Sequence, residues 1–518
     1  MASVAEFLVE RLANAGVKHL FGTPGVFINP FFNQVKLNSS IVSVFSVDEN
    51  HAALSAGAYS RVNGIGCVCV DYNVGALKIC NAIAAAYSER SPVIVISGSP
   101  SIKDRTDDSF FHHVVKNFDN QLKVFKSLTC FSTILDDPTT AGWNIDRAIE
   151  SLRFKKQPVY IELPLDVAQQ PLRYDVYRQG TPVCTPTNQD NLNEAFLEVI
   201  ELIRSANSPV IMAGVQISRF NLGDQLIRFA EKHNIPMMAT LLSKSFVSEN
   251  HRLFAGVFSG KDFTEDNLNK IIEESDCLLI LGDLPTDLNF GFQSQRFAKK
   301  QMILCSSQGI KIKNHFYKDI NFEDFCAKFF KFDFEQKKTG VIKQKLDKKE
   351  FVPTNTKITI HRFFEKISEV IKDDTAIISD AGELLKHTHS LPVTQNNFLS
   401  SAFYCSKDFV IPAIIGFSLS KQNTNVFGFI DDQGFEMSGF ELKTLAKQNL
   451  SPIIFVLTDS EKNDEKNQLN VNYEKIIDII GFGSSFRVET EEELCSNLDV
   501  ALKSKKMSVI NVILGRKE

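Results

Sequence analysis

The stretch Val426-Phe427-Gly428-Phe429-Ile430-Asp431-Asp432-Gln433, followed further on by Ile453-Ile454-Phe455-Val456-Leu457-Thr458-Asp459, decides the fold. Each is a short, nearly continuous apolar run that stops abruptly at acidic or polar residues. A run with no polar side to turn outward suits a strand buried on both faces of a parallel sheet. Ligands in such sheets bind beyond the carboxyl ends of the strands. Chemistry is therefore expected at Asp431-Asp432-Gln433 and at Thr458-Asp459.

The same pattern recurs on either side. Ala376-Ile377-Ile378-Ser379 and Val509-Ile510-Asn511-Val512 complete a block over residues 354–518. Upstream, Phe332 to Pro353 is dense in lysines and acids and poor in periodic apolar residues, as a solvated linker would be. A middle block, residues 190–331, carries the runs Pro209–Met212, Cys277–Gly282 and Gln301–Cys305, with a helical stretch near 221–233. A connector rich in Pro, Thr and polar residues, about Gln169 to Asp190, separates it from a first block over 1–170. That block holds strand candidates Lys18–Phe21, Gly66–Val70, Pro92–Ile96 and Pro158–Ile161. Val4, Phe7, Leu8 and Leu12 share one face of an opening amphipathic helix. Asn50 to Val62 reads as a second helix, ended by the turn Asn63-Gly64. The expected fold class is α/β, with three consecutive doubly wound parallel-sheet domains.

Composition agrees with that size. The chain has 518 residues, too many for one hydrophobic core. Its net charge of −5 and pI near 6.1 give no basic field, which argues against nucleic-acid or anionic-membrane partners. The ten cysteines are scattered without ligand spacing, so reduced thiols and a cytoplasmic setting are expected. No apolar run approaches the ~20 residues that cross a bilayer.

Several motifs resemble the thiamine-diphosphate-dependent 2-oxo acid decarboxylases that act on pyruvate, indolepyruvate or phenylpyruvate. They are Phe21-Gly22-Thr23-Pro24-Gly25, Asp48-Glu49-Asn50-His51-Ala52-Ala53, Ala58-Tyr59-Ser60-Arg61 and the pair His112-His113. Ala213-Gly214-Val215 and Glu274 through Gly282 extend the likeness through the middle block. The resemblance implies pyrimidine-binding, middle and diphosphate-binding domains, with thiamine diphosphate and Mg2+ as cofactors. It implies a 2-oxo acid as substrate, released as an aldehyde and carbon dioxide. The cofactor of that family lies between the first domain of one subunit and the third of another, which implies a homodimer or homotetramer.

Residue by residue, the likeness gives Glu49 the role of hydrogen-bonding the cofactor's pyrimidine and promoting its activation. Taken alone, Glu49 is equally an acid in the first turn of a helix, where the dipole favours it. His112 and His113 would line the substrate site and relay protons, as imidazoles titrating near neutrality can; alone they are loop histidines. Glu465 falls where the family has a further catalytic glutamate, within a charged stretch that is also readable as a solvated helix face. Asp432 and Asp459, with the backbone carbonyl of Glu461, would hold the cation. Cys405, Lys407, Gln433 and Gly434 would line the cofactor.

The departures are as informative. The family's Pro-Gly-Asp loop is Pro24-Gly25-Val26 here, so a proton-carrying carboxylate is missing. Its Gly-Asp-Gly is Asp431-Asp432-Gln433, and its closing Asn-Asn is Thr458-Asp459. The glycines let backbone amides approach phosphate; Asp431 would instead bring a like charge, worth roughly 4 kcal/mol of repulsion at 4 Å and an effective dielectric of 20. Lys407 replaces the apolar prop under the cofactor and is expected either to oppose the thiazolium or to neutralise Asp431 or Asp459. A catalytically silent paralogue with a structural or regulatory role is the alternative these changes leave open.

Overall fold

The structure, a computed structural model, describes residues 2–105, 111–172, 185–260, 266–284, 286, 301–338, 350–459 and 471–515. Glu461, Glu465 and parts of both linkers lie outside the described residues.

The first sheet contains β1 (His19–Gly22), β2 (Val42–Phe45), β3 (Gly66–Val70), β4 (Val93–Ser99), β5 (Phe131–Ile134) and β6 (Val159–Pro164). Their order across the sheet is β2-β1-β3-β4-β6-β5, all parallel. The middle sheet contains β7 (Pro209–Ala213), β8 (Met237–Thr240), β9 (Phe254–Phe258), β10 (Cys277–Leu281), β11 (Gln301–Ser306), β12 (Gly309–Ile312) and β13 (His315–Tyr317). Its order is β13-β12-β11-β10-β7-β8-β9, and the β12 and β13 pairings at one side are antiparallel. That hairpin is an addition to the parallel core expected from sequence. The third sheet contains β14 (Thr375–Ser379), β15 (Phe398–Ser400), β16 (Asn425–Asp431), β17 (Ile453–Asp459), β18 (Ser484–Val488) and β19 (Ser508–Leu514). Its order, β15-β14-β16-β17-β19-β18, repeats the first sheet strand for strand.

Helix punctuation follows local chemistry. Ser3 and Glu6 form a capping box at the start of the helix Val4–Ala15, satisfying two otherwise orphaned amides. The helix Glu49–Asn63 starts at an Asp48 cap and ends at Gly64, whose φ of 86° needs no Cβ penalty.

The first and third domains share one hydrophobic cluster. The helix Glu49–Asn63 crosses the helix Val410–Ser420 so closely that a Cβ on Gly416 would lie 2.1 Å from the Ser55 carbonyl oxygen. Ala52, Ala56 and Tyr59 from one domain join Ile411, Ala413 and Ile415 from the other in that cluster, all buried. Polar contacts reinforce the crossing. Arg61 pairs with Glu89 and donates to the Ser400 carbonyl at 2.8 Å, while Glu89 accepts the Phe403 and Tyr404 amides at 2.9 and 2.8 Å. Among the described residues, no helix is long and apolar enough to cross a membrane.

Candidate active site

Three strand ends of the first domain build its half of the site. Glu49 opens the helix that follows β2, with Asp48 accepting the Asn50 amide at 2.8 Å. One Glu49 oxygen accepts from the Thr23 hydroxyl at 3.2 Å, and the other meets the Lys78 ammonium at 3.0 Å. Lys78 also reaches Asp48 at 2.5 Å. Burial works against ionisation of Asp48, but the Lys78 and Asn50 hydrogen bonds outweigh it and hold that carboxyl below its ordinary range. A cation bridging this acidic pair is a feature that sequence reading missed, since no motif marks Lys78.

The loop after β1 joins Glu49 to the histidines. Thr23 bonds Glu49, and four residues on, Phe27 stacks against His112 with ring centroids 4.8 Å apart. His112 and His113 pack edge to face at 4.8 Å. His113 has a φ of 68°, and its carbonyl accepts from the Asn73 amide at 2.6 Å. The structure thus brings Glu49, His112 and His113 around one loop at the carboxyl ends of β1 to β3. Val26 sits in that loop and is 59% exposed.

The third domain contributes the ends of β14, β16 and β17. Asp431 is the last residue of β16 and caps the helix Asp432–Ser438, its carboxylate accepting the Gly434 amide at 2.7 Å. The expectation that Asp431 points a bare charge at phosphate is therefore modified: the carboxylate already occupies an amide of the helix start. Asp432 follows β16 and Asp459 ends β17, two neighbouring parallel strands. Lys407 donates to the Gln433 side-chain oxygen at 2.6 Å, rather than pairing with Asp431 or Asp459. The adjacent Cys405 is exposed, with a φ of 60°. Gly434 lies in a tight cradle, where a Cβ would come within 2.5 Å of both Asp380 Oδ2 and the Lys407 carbonyl.

Asp380, at the end of β14, was also missed. It is buried, and neither of its carboxyl oxygens has a well-formed hydrogen bond among the described residues. Burial first, then the neighbouring Asp431 and Asp408 charges, push its carboxyl well above the ordinary range.

The first and third domains also touch through polar groups within one chain. Asn50, next to Glu49, donates to Asp408, next to Lys407, at 2.7 Å. His51 lies 3.2 Å from Glu441 and 3.9 Å from Asp408. Burial disfavours a charged His51, yet the Glu441 hydrogen bond and the surrounding carboxylates overcome it and raise its pKa.

Comparison with known proteins agrees with this architecture. Residues 2–124 match the N-terminal TPP binding domain of thiamine pyrophosphate enzymes, residues 197–330 their central domain, and residues 380–512 their C-terminal TPP binding domain. The chain is 26% identical to an indole-3-pyruvate decarboxylase of Azospirillum brasilense, covering 88% of this chain and 84% of that protein. It is also 26% identical to pyruvate decarboxylase 3 of Arabidopsis thaliana, covering 99% and 91%. A probable pyruvate decarboxylase of Schizosaccharomyces pombe is again 26% identical, covering 88% and 81%. With the three domains matched in order over residues 2–124, 197–330 and 380–512, the chain belongs to the thiamine pyrophosphate enzymes.

Proposed function

We propose that this chain decarboxylates a 2-oxo acid to an aldehyde and carbon dioxide, using thiamine diphosphate and Mg2+ in a homodimer or homotetramer. The observation that carries the reading is the clustering of Glu49, His112 and His113 around the β1 loop.

The residues fit the two ends of the cofactor unequally. Glu49 and Thr23 offer a carboxylate and a hydroxyl where a pyrimidine nitrogen would bind, and the oxygens of Asp432 and Asp459 suit a hard divalent cation. At the diphosphate, Gly434 keeps the close backbone approach, but Asp431 holds its amide. Cofactor binding there requires Asp431 to release that amide or the cation to offset its charge. Bound, thiamine diphosphate would supply the carbon nucleophile and electron sink for loss of carbon dioxide. The chain's own work is to hold a proton at the pyrimidine nitrogen through Glu49 and to exchange protons with substrate through His112, His113 and Glu465. Lys78 ties the Glu49 carboxylate to a cation, so it must move when Glu49 accepts a proton.

The Asp431–Gly434 bond also favours a second reading, a silent scaffold. Calorimetric titration of thiamine diphosphate with Mg2+ present, against metal-only runs, separates the two. Saturable binding followed by carbon dioxide release from a 2-oxo acid panel is expected. Absence of binding at high cofactor concentration would sink the decarboxylase and leave the scaffold.

A further inference from the structure

Val26 deprives the β1 loop of a carboxylate, yet a carboxylate from another strand reaches the same place. Asp71 follows β3 directly and is 5% exposed. Its Oδ1 accepts the Phe27 amide at 2.9 Å. A Cβ on Gly25 would lie 2.4 Å from the Asp71 carboxyl carbon. The Asp71 carboxyl therefore sits against the backbone of Gly25 and Phe27, the two neighbours of Val26.

Its second oxygen has an obvious counterpart. Asp71 Oδ2 lies 3.9 Å from His113 Nδ1, and that nitrogen is buried without a hydrogen-bond partner among the described residues. The separation exceeds a hydrogen bond, but such pairs are often long before substrate binds and tighten afterwards. The imidazole is otherwise held by packing: Phe27 lies edge-on at 5.9 Å and His112 at 4.8 Å, with Asn73 on its carbonyl. Of the described groups facing the ring, Asp71 brings the carboxylate and His112 the other titratable side chain.

Resting on the decarboxylase reading of this site, we propose that Asp71 is the positioning carboxylate of His113, restoring from β3 the proton-network place that the loop lost at Val26. Asp71 fixes the tautomer through Nδ1 and leaves Nε2 to exchange a proton with substrate. The chain has moved the carboxylate between two adjacent strand ends, since β1 and β3 are paired neighbours.

The test is the NMR titration of His113 in the full-length protein. Asp71→Asn keeps an oxygen for the Phe27 amide while removing the charge; Asp71→Thr does the same should the first variant fail to fold. Either is expected to move the His113 titration toward lower pH, the direction that loss of a nearby carboxylate gives. In the active protein the acid limb of the rate profile shifts with it. Val26→Asp combined with Asp71→Thr returns the carboxylate to the loop and is expected to restore both. An unmoved His113 titration in a folded Asp71 variant overturns the proposal. The titration needs no turnover: a shift without turnover keeps the pair and removes the decarboxylase, while turnover without a shift does the reverse.

Discussion

The first and third domains carry the same strand order, and acids stand at matching strand ends in each. Asp71 follows β3 and Asp431 ends β16, its counterpart; the helices after β2 and β15 begin at Glu49 and just beyond Asp408. In the first domain these acids have a donor brought from another element: Lys78 for Glu49 and the Phe27 amide for Asp71. In the third domain Asp431 is satisfied by its own helix, the buried Asp380 carboxyl is pushed above its ordinary range, and Lys407 spends its charge on an amide. Identical topology thus fixes where charges gather without fixing how they are balanced. The first domain balances its acids across elements, and the third has filled a helix-start amide from within.

That contrast can be broken at its strongest point first. Replacing the acid in Glu49→Gln is expected to lower the rate of carbon dioxide release by roughly 10²–10⁴-fold, the usual worth of a placed acid–base group. An unchanged rate would mean that the first-domain site is not the working half. Next, Asp431→Gly frees the Gly434 amide and removes a like charge, so thiamine diphosphate affinity should rise by about 10²-fold by calorimetry. If affinity does not change, the cap is not what distinguishes the two domains.

The junction itself offers two smaller tests. Gly416→Val pushes side-chain atoms into the Ser55 backbone and should cost about 3 kcal/mol in denaturant unfolding, near the top of the overpacking range. His51 gives a pH signature. Its folded pKa lies above the unfolded value of 6.5, so its stabilisation is full below that pH and fades as pH rises through the folded pKa. Stability measured across that window should fall as pH rises, and His51→Gln should flatten the dependence.

The central strands were legible because burial on both faces leaves an apolar run. β3, β16 and β17 agree with the sequence reading to within about two residues, which is ordinary boundary uncertainty. β2, β5 and β18 escaped because they are sheet edges, whose residues are mostly half-buried and mimic loop composition. The site divides in the same way. Glu49, the histidine pair and Lys407 stand in motifs, so their neighbourhood could be anticipated. Asp71, Lys78 and Asp380 could not, because each acquires meaning only from a partner on another strand or helix. Nothing in the spelling of Val70-Asp71-Tyr72 says that it lies beneath Gly25.

The cluster shared by the first and third domains has a consequence for synthesis. The face of the helix Glu49–Asn63 is made early, but the helix that covers it, Val410–Ser420, leaves the ribosome only after the whole middle domain. At ~5–20 residues per second that apolar face waits on the order of tens of seconds. A nascent chain stalled in the middle domain would therefore present Ala52, Ala56 and Tyr59 to chaperones.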